Sequence, residues 1–391
     1  MSTHSYYMQR ALNAAHTALY TTSPNPRVGC VIVHKEQIIA KAATQAAGAE
    51  HAEVMALRQA QAAGFESLAG ATVYVTLEPC SHHGRTPPCV DALIAAQPQA
   101  VVIAMLDPNP LVAGQGVAKL RAAGIAVHFT GAQELEAAFS LNVGFVARML
   151  RGTPWLWLKT ASSLDGRTAL NDGQSKWITG AGARADGQHF RARSCVVLTG
   201  INTVLDDNPL LNVRQIETSR QPIRAVIDSQ LRIPAKAKLF DGNPVWVFTT
   251  LDPAQIDEAF RQQLAAKNVQ IITLPANENG QVDLHALMRW LGSQQINEIH
   301  VEAGATLNGA LLQAGYVDAL VFYVAPMLIG AGRTVAHLCE LASLELAPRF
   351  ELLQSQMIEK DVRLLMRHAQ HWRQLYVQLK QLHAAHEADL D

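Results

Sequence analysis

The chain has 391 residues, of which 49% are hydrophobic and 17% are charged, and its formal net charge at pH 7 is −1. This length predicts two or three domains, and the composition is that of a globular protein. The near-zero charge argues against a broad electrostatic surface for nucleic acid or membrane, and no apolar run reaches the roughly 18–20 residues that span a bilayer.

The amino-terminal segment lacks the basic region and the apolar core of a secretion signal. Five scattered cysteines do not suggest a disulfide framework, and in a reducing compartment a cysteine pair more often binds metal or does chemistry. We therefore expect a cytoplasmic protein. Cys30, Cys195 and Cys339 have no partner at metal-ligand spacing and are expected to be small core residues.

Strands and helices alternate through residues 1–150. The predicted central strands are apolar, partly β-branched runs at 28–33, 72–77 and 100–105. Helical patterns between them are closed by Gly64 and by Pro98, and a helical segment at 134–150 completes this half. Glycine and proline within 151–154 break that helix and mark a domain boundary.

The alternation restarts after this boundary, and a helix beginning near residue 306 stops at Gly315. The chain from about residue 371 is helical, polar and rich in histidine. We expect an α/β protein with domains at 1–150 and 151–368 and a variable polar tail at 369–391. The predicted strands of the second half are 155–160, 194–200, 223–228, 245–250, 269–274, 298–304 and 317–326.

Four residues of the first half have the types and spacing of a catalytic zinc site. His51 and Glu53 form His-x-Glu, and Cys80 and Cys89 follow about thirty residues later. One imidazole and two thiolates leave the fourth position of a tetrahedral zinc ion open for water. Glu53 lies in the first turn of the same helix as His51, where it can transfer protons. This order of residues is typical of zinc deaminases.

The spacing of the two cysteines departs from the usual deaminase pattern, because eight residues separate them instead of two. Cys80 is predicted directly after a strand and Cys89 at the start of a helix, which favours the thiolate. The intervening segment is polar, cationic and rich in turns, so His83 and Arg85 could reach a substrate phosphate. Taken singly, such a histidine or cysteine is usually a core residue; the four in this order favour a metal site.

The stretches TSPNPRVGCVIV, HAEVMAL, VTLEPCSHHGRTPPC and DPNPLVAGQGVAKLRAAGI resemble the deaminase half of the bifunctional deaminase–reductase of riboflavin biosynthesis. The resemblance implies a cytidine-deaminase-like three-layer α/β/α domain. It also implies one zinc ion on His51, Cys80 and Cys89, with Glu53 as the proton shuttle. Asn25, in the PNP turn, could bind the pyrimidine edge. Ala42 and Thr44 replace a glycine and a histidine that this family usually has.

In the second half the residues alone leave open whether a cofactor binds. Lys159 is predicted at a strand end, and Ser175 and Trp177 lie in a glycine-flanked loop. A helix start after a glycine turn, near residue 304, would suit a dinucleotide phosphate. The usual G-x-G-x-x-G fingerprint is absent. Polar loops at strand ends are often only turns, and the adjacent Asp206 and Asp207 are assigned no metal.

The resemblance extends to about residue 368 and implies a dihydrofolate-reductase-like domain in which NADPH reduces the opened ribose. Arginines suit the substrate's terminal phosphate, although ordinary surface arginines are the alternative. Lys159 could assist proton transfer. The implied substrate contacts are Ser175, Arg191, Leu211, Arg214 and Glu302. The implied NADPH contacts are Ala161, Trp177, Thr203, Asp207, Ser229, Gly304, Ala305, Thr306, Leu307, Asn308, Gly309 and Ala310.

The expected function is therefore consecutive deamination and reduction of phosphoribosylaminopyrimidine substrates by an enzyme that binds neither nucleic acid nor membrane and forms a homo-oligomer, a dimer or a tetramer. A nucleic-acid base deaminase is a rival, but the chain lacks a basic stripe. A second rival is a zinc-stabilised binding module that catalyses no reaction. Replacement of Glu53 would distinguish it from a deaminase, because only a deaminase would lose ammonia release. A purely structural zinc would prefer four protein ligands, and no fourth is evident.

Overall fold

The computed structural model describes residues 3–82, 87–109 and 112–387. It separates into two units, one formed by Met1–Gly152 with Arg373–Asp391 and the other by Thr153–Trp372. The carboxyl-terminal residues thus belong with the first unit. No helix among the described residues is both long and apolar enough to cross a membrane.

The first unit is built on a sheet whose order, within the described residues, is β2-β1-β3-β4-β5. Strand β1 pairs antiparallel with β2 and β3, whereas β3, β4 and β5 are parallel. The central strands are almost wholly buried, as expected for apolar runs covered on both faces. The strands are β1 (Gly29–His34), β2 (Gln37–Ala43), β3 (Ala71–Val75), β4 (Ala100–Ile103) and β5 (Ala126–Phe129).

Helices pack on this sheet in two groups. The first helix contacts β1, β2, β3 and the fifth helix, while the second, third and fourth helices contact one another in series. This grouping matches the expected three-layer α/β/α arrangement. The helices are α1 (Thr3–Thr17), α2 (Ala52–Ala62), α3 (Cys89–Ala96), α4 (Gln115–Ala122), α5 (Ala132–Leu141) and α6 (Val143–Arg151).

The second unit contains a larger mixed sheet and a short two-stranded one. Its inner strands are parallel, and two antiparallel strands close one side. The strands are β6 (Trp155–Ser163), β7 (Arg167–Leu170), β8 (Val196–Gly200), β9 (Ile223–Ile227), β10 (Val245–Thr249), β11 (Val269–Thr273), β12 (Glu298–Val301), β13 (Ala319–Ala325), β14 (Gly332–Thr334), β15 (Glu351–Ile358) and β16 (Asp361–Arg367).

Among the described residues the large sheet has the order β11-β10-β9-β8-β12-β6-β13-β16-β15, and β14 pairs with β7. Apolar side chains from β6, β8, β12 and the helix that follows β11 form one buried core. The helices are α7 (Ala181–Arg193), α8 (Ile201–Asp207), α9 (Glu258–Ala265), α10 (Leu284–Ser293), α11 (Ala305–Gln313) and α12 (Ala369–Glu387), with single 3₁₀ turns at Pro253–Gln255 and Leu344–Leu346.

The predicted strands and the carboxyl-terminal helix are present, with shifted ends. Strand β6 continues to Ser163, so Lys159 lies inside the strand instead of at its end, as the sequence suggested. Strand β3 stops at Val75, so Cys80 does not follow it directly. Strands β2, β7, β14, β15 and β16 were not predicted from the sequence. Strand β15 is exposed along almost its whole length, so it lacks the buried-exposed alternation that identifies a strand.

Candidate active sites

Three side chains with nitrogen or sulfur donors meet in the first unit. His51 Nδ1 lies 3.1 Å from Cys89 Sγ and 3.6 Å from Cys80 Sγ. The three donor atoms all lie within 4.8 Å of one another. One imidazole and two sulfurs are soft ligands that suit a tetrahedral zinc ion and leave one position for solvent or substrate. The donor set therefore fits zinc.

Two helix starts bring these donors together. His51 is the residue before α2, and Cys89 is the first residue of α3, preceded by Pro88. The Cys89 N–H donates to Cys80 Sγ at 3.2 Å, and the Val90 N–H donates to the Cys80 carbonyl at 3.2 Å. The helix start thus stabilises negative charge on Cys80.

The pKa values of the two cysteine thiols are shifted in opposite directions. A hydrogen bond from Cys89, supplemented by one from His51, lowers the pKa of Cys80 to about 4. The same hydrogen bond, together with burial, raises the pKa of Cys89. Without a metal ion, Cys80 therefore carries the negative charge of the pair at neutral pH, and Cys89 donates to it.

Glu53 lies in the first turn of α2 and is only 4% exposed. Burial, and then the charge of Cys80, raise the pKa of this carboxyl group to about 7. A carboxyl group that titrates near neutral pH can both accept and donate a proton there. Its position beside the donor cluster suits the proton transfers of a hydrolytic deamination.

A second buried carboxylate, Glu78, supports the segment that carries Cys80. Glu78 is 2% exposed and accepts hydrogen bonds from the N–H groups of Asp107, Gly114 and Val117 at 3.2, 3.0 and 3.1 Å. The last two donors lie at the start of α4, where a helix favours an anion. Gly114, which precedes this helix, thus binds a side chain of the protein itself.

The remaining sequence-predicted residues of this half have different outcomes. Asn25 lies in the turn before β1, where its N–H donates to the Thr22 carbonyl at 2.9 Å. His83 and Arg85 lie outside the described residues. Thr44 follows β2 and is buried, and its hydroxyl has no hydrogen-bond partner within the described part of the chain.

In the second unit the predicted site residues gather at one edge of the sheet. Strands β6, β8, β9 and β12 are parallel, so their carboxyl ends lie on the same side, where open α/β sheets bind ligands. The residues found in or after the carboxyl-terminal parts of these strands are Ala161, Thr203, Asp207, Ser229, Glu302 and Gly304–Ala310.

An ion pair joins two predicted substrate residues. The Arg191 guanidinium donates to both carboxylate oxygens of Glu302, through Nη2 at 2.8 Å and through Nε, and its Nη1 donates to the Asn212 carbonyl at 2.8 Å. Burial alone would raise the pKa of Glu302, but the charge of Arg191 and the hydrogen bonds from Arg191 and His300 outweigh it and hold that pKa well below its usual range. Glu302 is therefore an anion at any physiological pH.

Lys159 and Arg214 share the electrostatic environment of this pair. Burial lowers the pKa of Lys159, and the charge of Glu302 opposes that effect. Burial, followed by the charge of Arg191, also lowers the pKa of Arg214. Arg214 donates through Nη1 to the Asn212 side chain at 2.8 Å. Three cations thus lie around one carboxylate, an arrangement suited to a phosphorylated substrate.

The loop carrying Ser175 and Trp177 approaches α8. Lys176 Nζ lies 3.3 Å from Asp207 Oδ1. The Trp177 ring is 68% exposed and stacks with the Arg184 guanidinium, 4.1 Å from the ring centroid. Leu211 is buried with a φ of 53°. An exposed indole at a sheet edge offers a flat face to a ring of a ligand.

The start of α11 has room for a bound group. Gly304 precedes this helix, and no described atom beyond its chain neighbours lies within 4 Å of the position that a Cβ would take. Free space beside the N–H groups of a helix start suits a dinucleotide phosphate. Ser229 contributes differently, because its Oγ accepts a hydrogen bond from Val282 N–H at 3.0 Å. The residues present fit a dinucleotide at this edge.

Several residues of this second site were not predicted from the sequence. His300 is fully buried, with Nε2 3.2 Å from Glu302 Oε1, and Tyr323 donates to Asp186 at 2.6 Å. Arg184 precedes Arg191 by two helical turns on α7. The available signals were a histidine two positions before Glu302, a spacing that puts two side chains on one face of an extended chain, and the heptad spacing of the two arginines.

The expectations for the other three cysteines and for the adjacent Asp206 and Asp207 can also be compared with the structure. Cys30 and Cys195 are buried, as predicted, but the prediction for Cys339 is wrong, since it is exposed. It lies in an irregular segment after β14 that contributes little to the core. The carboxylates of Asp206 and Asp207 each lie beside a basic side chain, Arg333 and Lys176 respectively.

Two different protein-family models match the two halves of the chain. Residues 1–105 match the zinc-binding region of cytidine and deoxycytidylate deaminases. Residues 154–364 match the RibD C-terminal domain.

Relatives cover nearly the whole chain. The riboflavin biosynthesis protein RibD of Escherichia coli is 47% identical over 373 residues, which is 91% of this chain and 97% of that protein. The structure of Acinetobacter baumannii RibD is 44% identical, covers 93% of this chain and 98% of its own, and superposes with a TM-score of 0.83. A Thermotoga maritima structure described as a diaminohydroxyphosphoribosylaminopyrimidine deaminase/5-amino-6-(5-phosphoribosylamino)uracil reductase is 33% identical, covers 94% and 99%, and has a TM-score of 0.82.

Fold, donor cluster and reductase unit together define a bifunctional enzyme, a zinc-dependent deaminase joined to an NADPH-dependent reductase. Identity of 47% over nine-tenths of the chain narrows this class to one family. The chain belongs to the RibD family of riboflavin biosynthesis proteins.

Proposed function

We propose that the chain catalyses two consecutive steps towards riboflavin. The first is hydrolytic deamination of diaminohydroxyphosphoribosylaminopyrimidine to 5-amino-6-(5-phosphoribosylamino)uracil, and the second is NADPH-dependent reduction of the ribosyl group to ribityl. The observation that carries this proposal is the cluster of His51, Cys80 and Cys89 with Glu53 beside it, in a chain that also pairs Arg191 with Glu302.

In the deaminase half, His51, Cys80 and Cys89 would hold the zinc ion, and Glu53 would move protons. Zinc held there would lower the pKa of water and so supply a nucleophile at neutral pH. Glu53 accepts a proton from the attacking water and delivers it to the amino group that leaves as ammonia. Its buried position in the first turn of α2, beside the zinc donors, suits both transfers. Asn25 would orient the pyrimidine, and His83 and Arg85 would contact the phosphate.

In the reductase half, the cations around Glu302 would bind the phosphorylated, opened ribose. NADPH would supply the hydride for the reacting carbon. Lys159, whose pKa is lowered by burial, would supply the accompanying proton. The proposed substrate contacts are Ser175, Arg191, Leu211, Arg214 and Glu302. The proposed NADPH contacts are Ala161, Trp177, Thr203, Asp207, Ser229 and Gly304–Ala310.

Replacement of Glu53 by glutamine tests the first step. The amide keeps the size of the side chain but cannot take a proton, so ammonia release should fall by about 10²–10⁴-fold while bound zinc stays near one ion per chain. Ammonia is measured enzymatically and zinc by atomic absorption. The exposed Glu66→Gln is the matched control. Full deaminase turnover in Glu53→Gln would refute the assigned role.

The second step is tested separately by mixing the protein with the deaminated substrate and following NADPH absorbance. We expect oxidation of one NADPH for each substrate molecule reduced. Absence of oxidation with any phosphoribosylaminouracil would leave this half as a sugar-phosphate-binding domain.

We further propose that the protein is cytoplasmic and forms a homo-oligomer, a dimer or a tetramer. Its cysteines are all free thiols, which a reducing compartment maintains. Strand β15 lies at the edge of the large sheet and exposes Leu352, Leu353 and Met357 by 58%, 46% and 62%. A second copy covering this edge would remove apolar surface from water. A monomer mass by light scattering at every concentration would contradict the proposal.

A further inference from the structure

The carboxyl-terminal helix α12 has one apolar face, and the buried positions Leu375, Leu379 and His383 repeat at helical spacing. From Arg373 onwards this helix belongs to the first unit, although the reductase family match ends at residue 364. The Tyr376 ring stacks on Phe139 of α5 with centroids 5.5 Å apart. The helix therefore packs on the deaminase unit.

A histidine on this helix completes a backbone hydrogen bond next to the zinc-ligand segment. His383 is 6% exposed, and its Nε2 accepts the N–H of Leu106 at 2.8 Å, just beyond β4. Its ring packs edge-on against Phe129 with centroids 5.4 Å apart. If His383 were replaced by an apolar residue, the buried Leu106 N–H would lose this acceptor. Folded proteins rarely leave a buried N–H group without a hydrogen-bond partner.

A second histidine of α12, His386, lies against Gly114. The position that a Cβ would take on Gly114 lies 2.0 Å from His386 Nε2, so only glycine permits this approach. The His386 ring is itself oriented by the Leu382 carbonyl, 2.9 Å from Nδ1. α12 thus touches both Leu106 and Gly114.

These two contact points flank the carboxylate of Glu78. Glu78 accepts from the N–H groups of Asp107, which follows Leu106, and of Gly114. It lies two residues before Cys80, and the Glu78 N–H donates to the Met105 carbonyl at 2.8 Å. Hydrogen bonds of Glu78 thus connect the chain at Leu106 and at Gly114 to the segment that carries Cys80.

We propose that α12 is a positioning element of the deaminase site, in which His383 and His386 hold the backbone that holds Glu78, and Glu78 holds Cys80 in place for zinc. The inference rests on the proposed deaminase function. His383 touches no reacting atom; it acts through the Leu106 backbone and is a positioning residue.

The test uses the full chain loaded with zinc and compares His383→Leu with His383→Gln, whose amide oxygen can replace Nε2 as acceptor. In His383→Leu we expect zinc transfer to a chromophoric chelator to accelerate by roughly tenfold or more, as for other residues that orient metal ligands. Hydrogen exchange of the backbone amides at 104–109 and 112–117 should accelerate too. The exposed Gln378→Leu on the same helix is the matched control.

Activities are measured in the same samples. Ammonia release should fall in His383→Leu and recover in His383→Gln, while NADPH oxidation with the deaminated substrate stays at the wild-type rate. Zinc transfer and exchange at wild-type rates in His383→Leu would overturn the proposal, as would equal loss of both activities. Zinc transfer and exchange need no substrate, so they test the helix even if the wild-type protein released no ammonia.

A second pair of variants remains informative if His383→Leu does not fold. Gly114→Ala should disturb the site through its clash with His386, and adding His386→Ala should restore zinc retention. The positive φ of 75° at Gly114 is common to both variants. The difference between them therefore reports the contact with His386, and no restoration would count against the proposal.

Discussion

Two glutamates, one in each site, have pKa values that their surroundings shift in opposite directions. Glu53 has an anionic sulfur nearby, and burial with that charge raises its pKa to about 7. The Glu302 side chain is 18% exposed, and Arg191 and His300 keep its pKa well below the usual range. Environment rather than residue type thus makes one carboxyl group a proton carrier and the other a permanent anion.

A conservative change at Arg191 separates geometry from charge. In Arg191→Lys the charge remains, but the two parallel hydrogen bonds to Glu302 cannot both form. We expect kcat/KM for NADPH oxidation to fall by about 10–100-fold, corresponding to the 1.5–3 kcal/mol of a charged hydrogen bond.

Arg193→Lys is the control for this change, because Arg193 lies on the same helix and donates to the buried Glu298 at 2.8 Å. We expect it to affect stability without a selective rise in KM. Equal kcat/KM values for Arg191→Lys and wild type would show that the reaction does not depend on the two parallel hydrogen bonds from Arg191 to Glu302.

At the scale of elements, the start of α4 illustrates how a helix end can hold a loop. Glu78 binds N–H groups there, and Gly116 lets the chain pass close, since a Cβ would lie 2.3 Å from the Pro79 carbonyl oxygen. The helix start, the Glu78 carboxylate and the turn before Cys80 are therefore one packed unit.

Gly116→Ala should therefore destabilise the protein by about 1–3 kcal/mol, as overpacking does, and weaken zinc retention. The matched control is Gly187→Ala in α7, where no described atom lies within 4 Å of the added Cβ. That change should be neutral or stabilise by about 0.4–1 kcal/mol. Both are measured by denaturant unfolding. Equal effects of the two substitutions would contradict the packing argument.

Helix α12 should make the stability of the first unit sensitive to acid. Burial, with a smaller contribution from His386, lowers the pKa of His383 to about 4 from an ordinary 6.5. The unfolded chain then binds the proton more tightly, so stability is lost as pH falls from about 6.5 towards about 4. At pH 4.5 this loss is roughly 2 kcal/mol in wild type and absent in His383→Gln, which does not titrate.

The measurement is the difference in unfolding free energy between wild type and His383→Gln at pH 7 and pH 4.5. A difference is needed because Glu53 and Asp107, whose pKa values are each raised to about 7, favour folding at low pH and oppose the effect. A difference independent of pH would contradict the burial of neutral His383.

At the scale of the whole molecule, the two chemistries reside in separate units of one chain. The zinc donors all belong to the first unit, and the ion pair of Arg191 and Glu302 belongs to the second. Removal of zinc should therefore affect only one reaction.

Chelation of zinc should abolish ammonia release and leave NADPH oxidation with the deaminated substrate unchanged. Loss of zinc should also lower the unfolding temperature of the first unit, because a ligand at 100 times its Kd contributes about 2.7 kcal/mol. Calorimetry and the two assays on one sample measure this, and re-added zinc is the control. Parallel loss of both activities would show that the units depend on each other.

The sequence alone predicted those parts of the sites whose residues lie close together in the chain. His51 with Glu53 and Cys80 with Cys89 are short motifs at helix starts, so their chemistry could be read before the fold was known. The reductase residues are spread over several strands and loops, and only the resemblance to a family connected them.

By itself the sequence determined the α/β class, the central strands, the metal donor set and the family, because periodicity and motif spacing are properties of adjacent residues. Only the tertiary structure decided that Glu78 rests on α4, that His300 lies near Glu302 and Arg184 near Lys159, and that the polar tail packs on the deaminase unit through His383. Such contacts join residues up to 277 positions apart, and the residues themselves are ordinary histidines, arginines and glutamates. Their roles follow from burial and neighbouring charge, which exist only once the chain has folded.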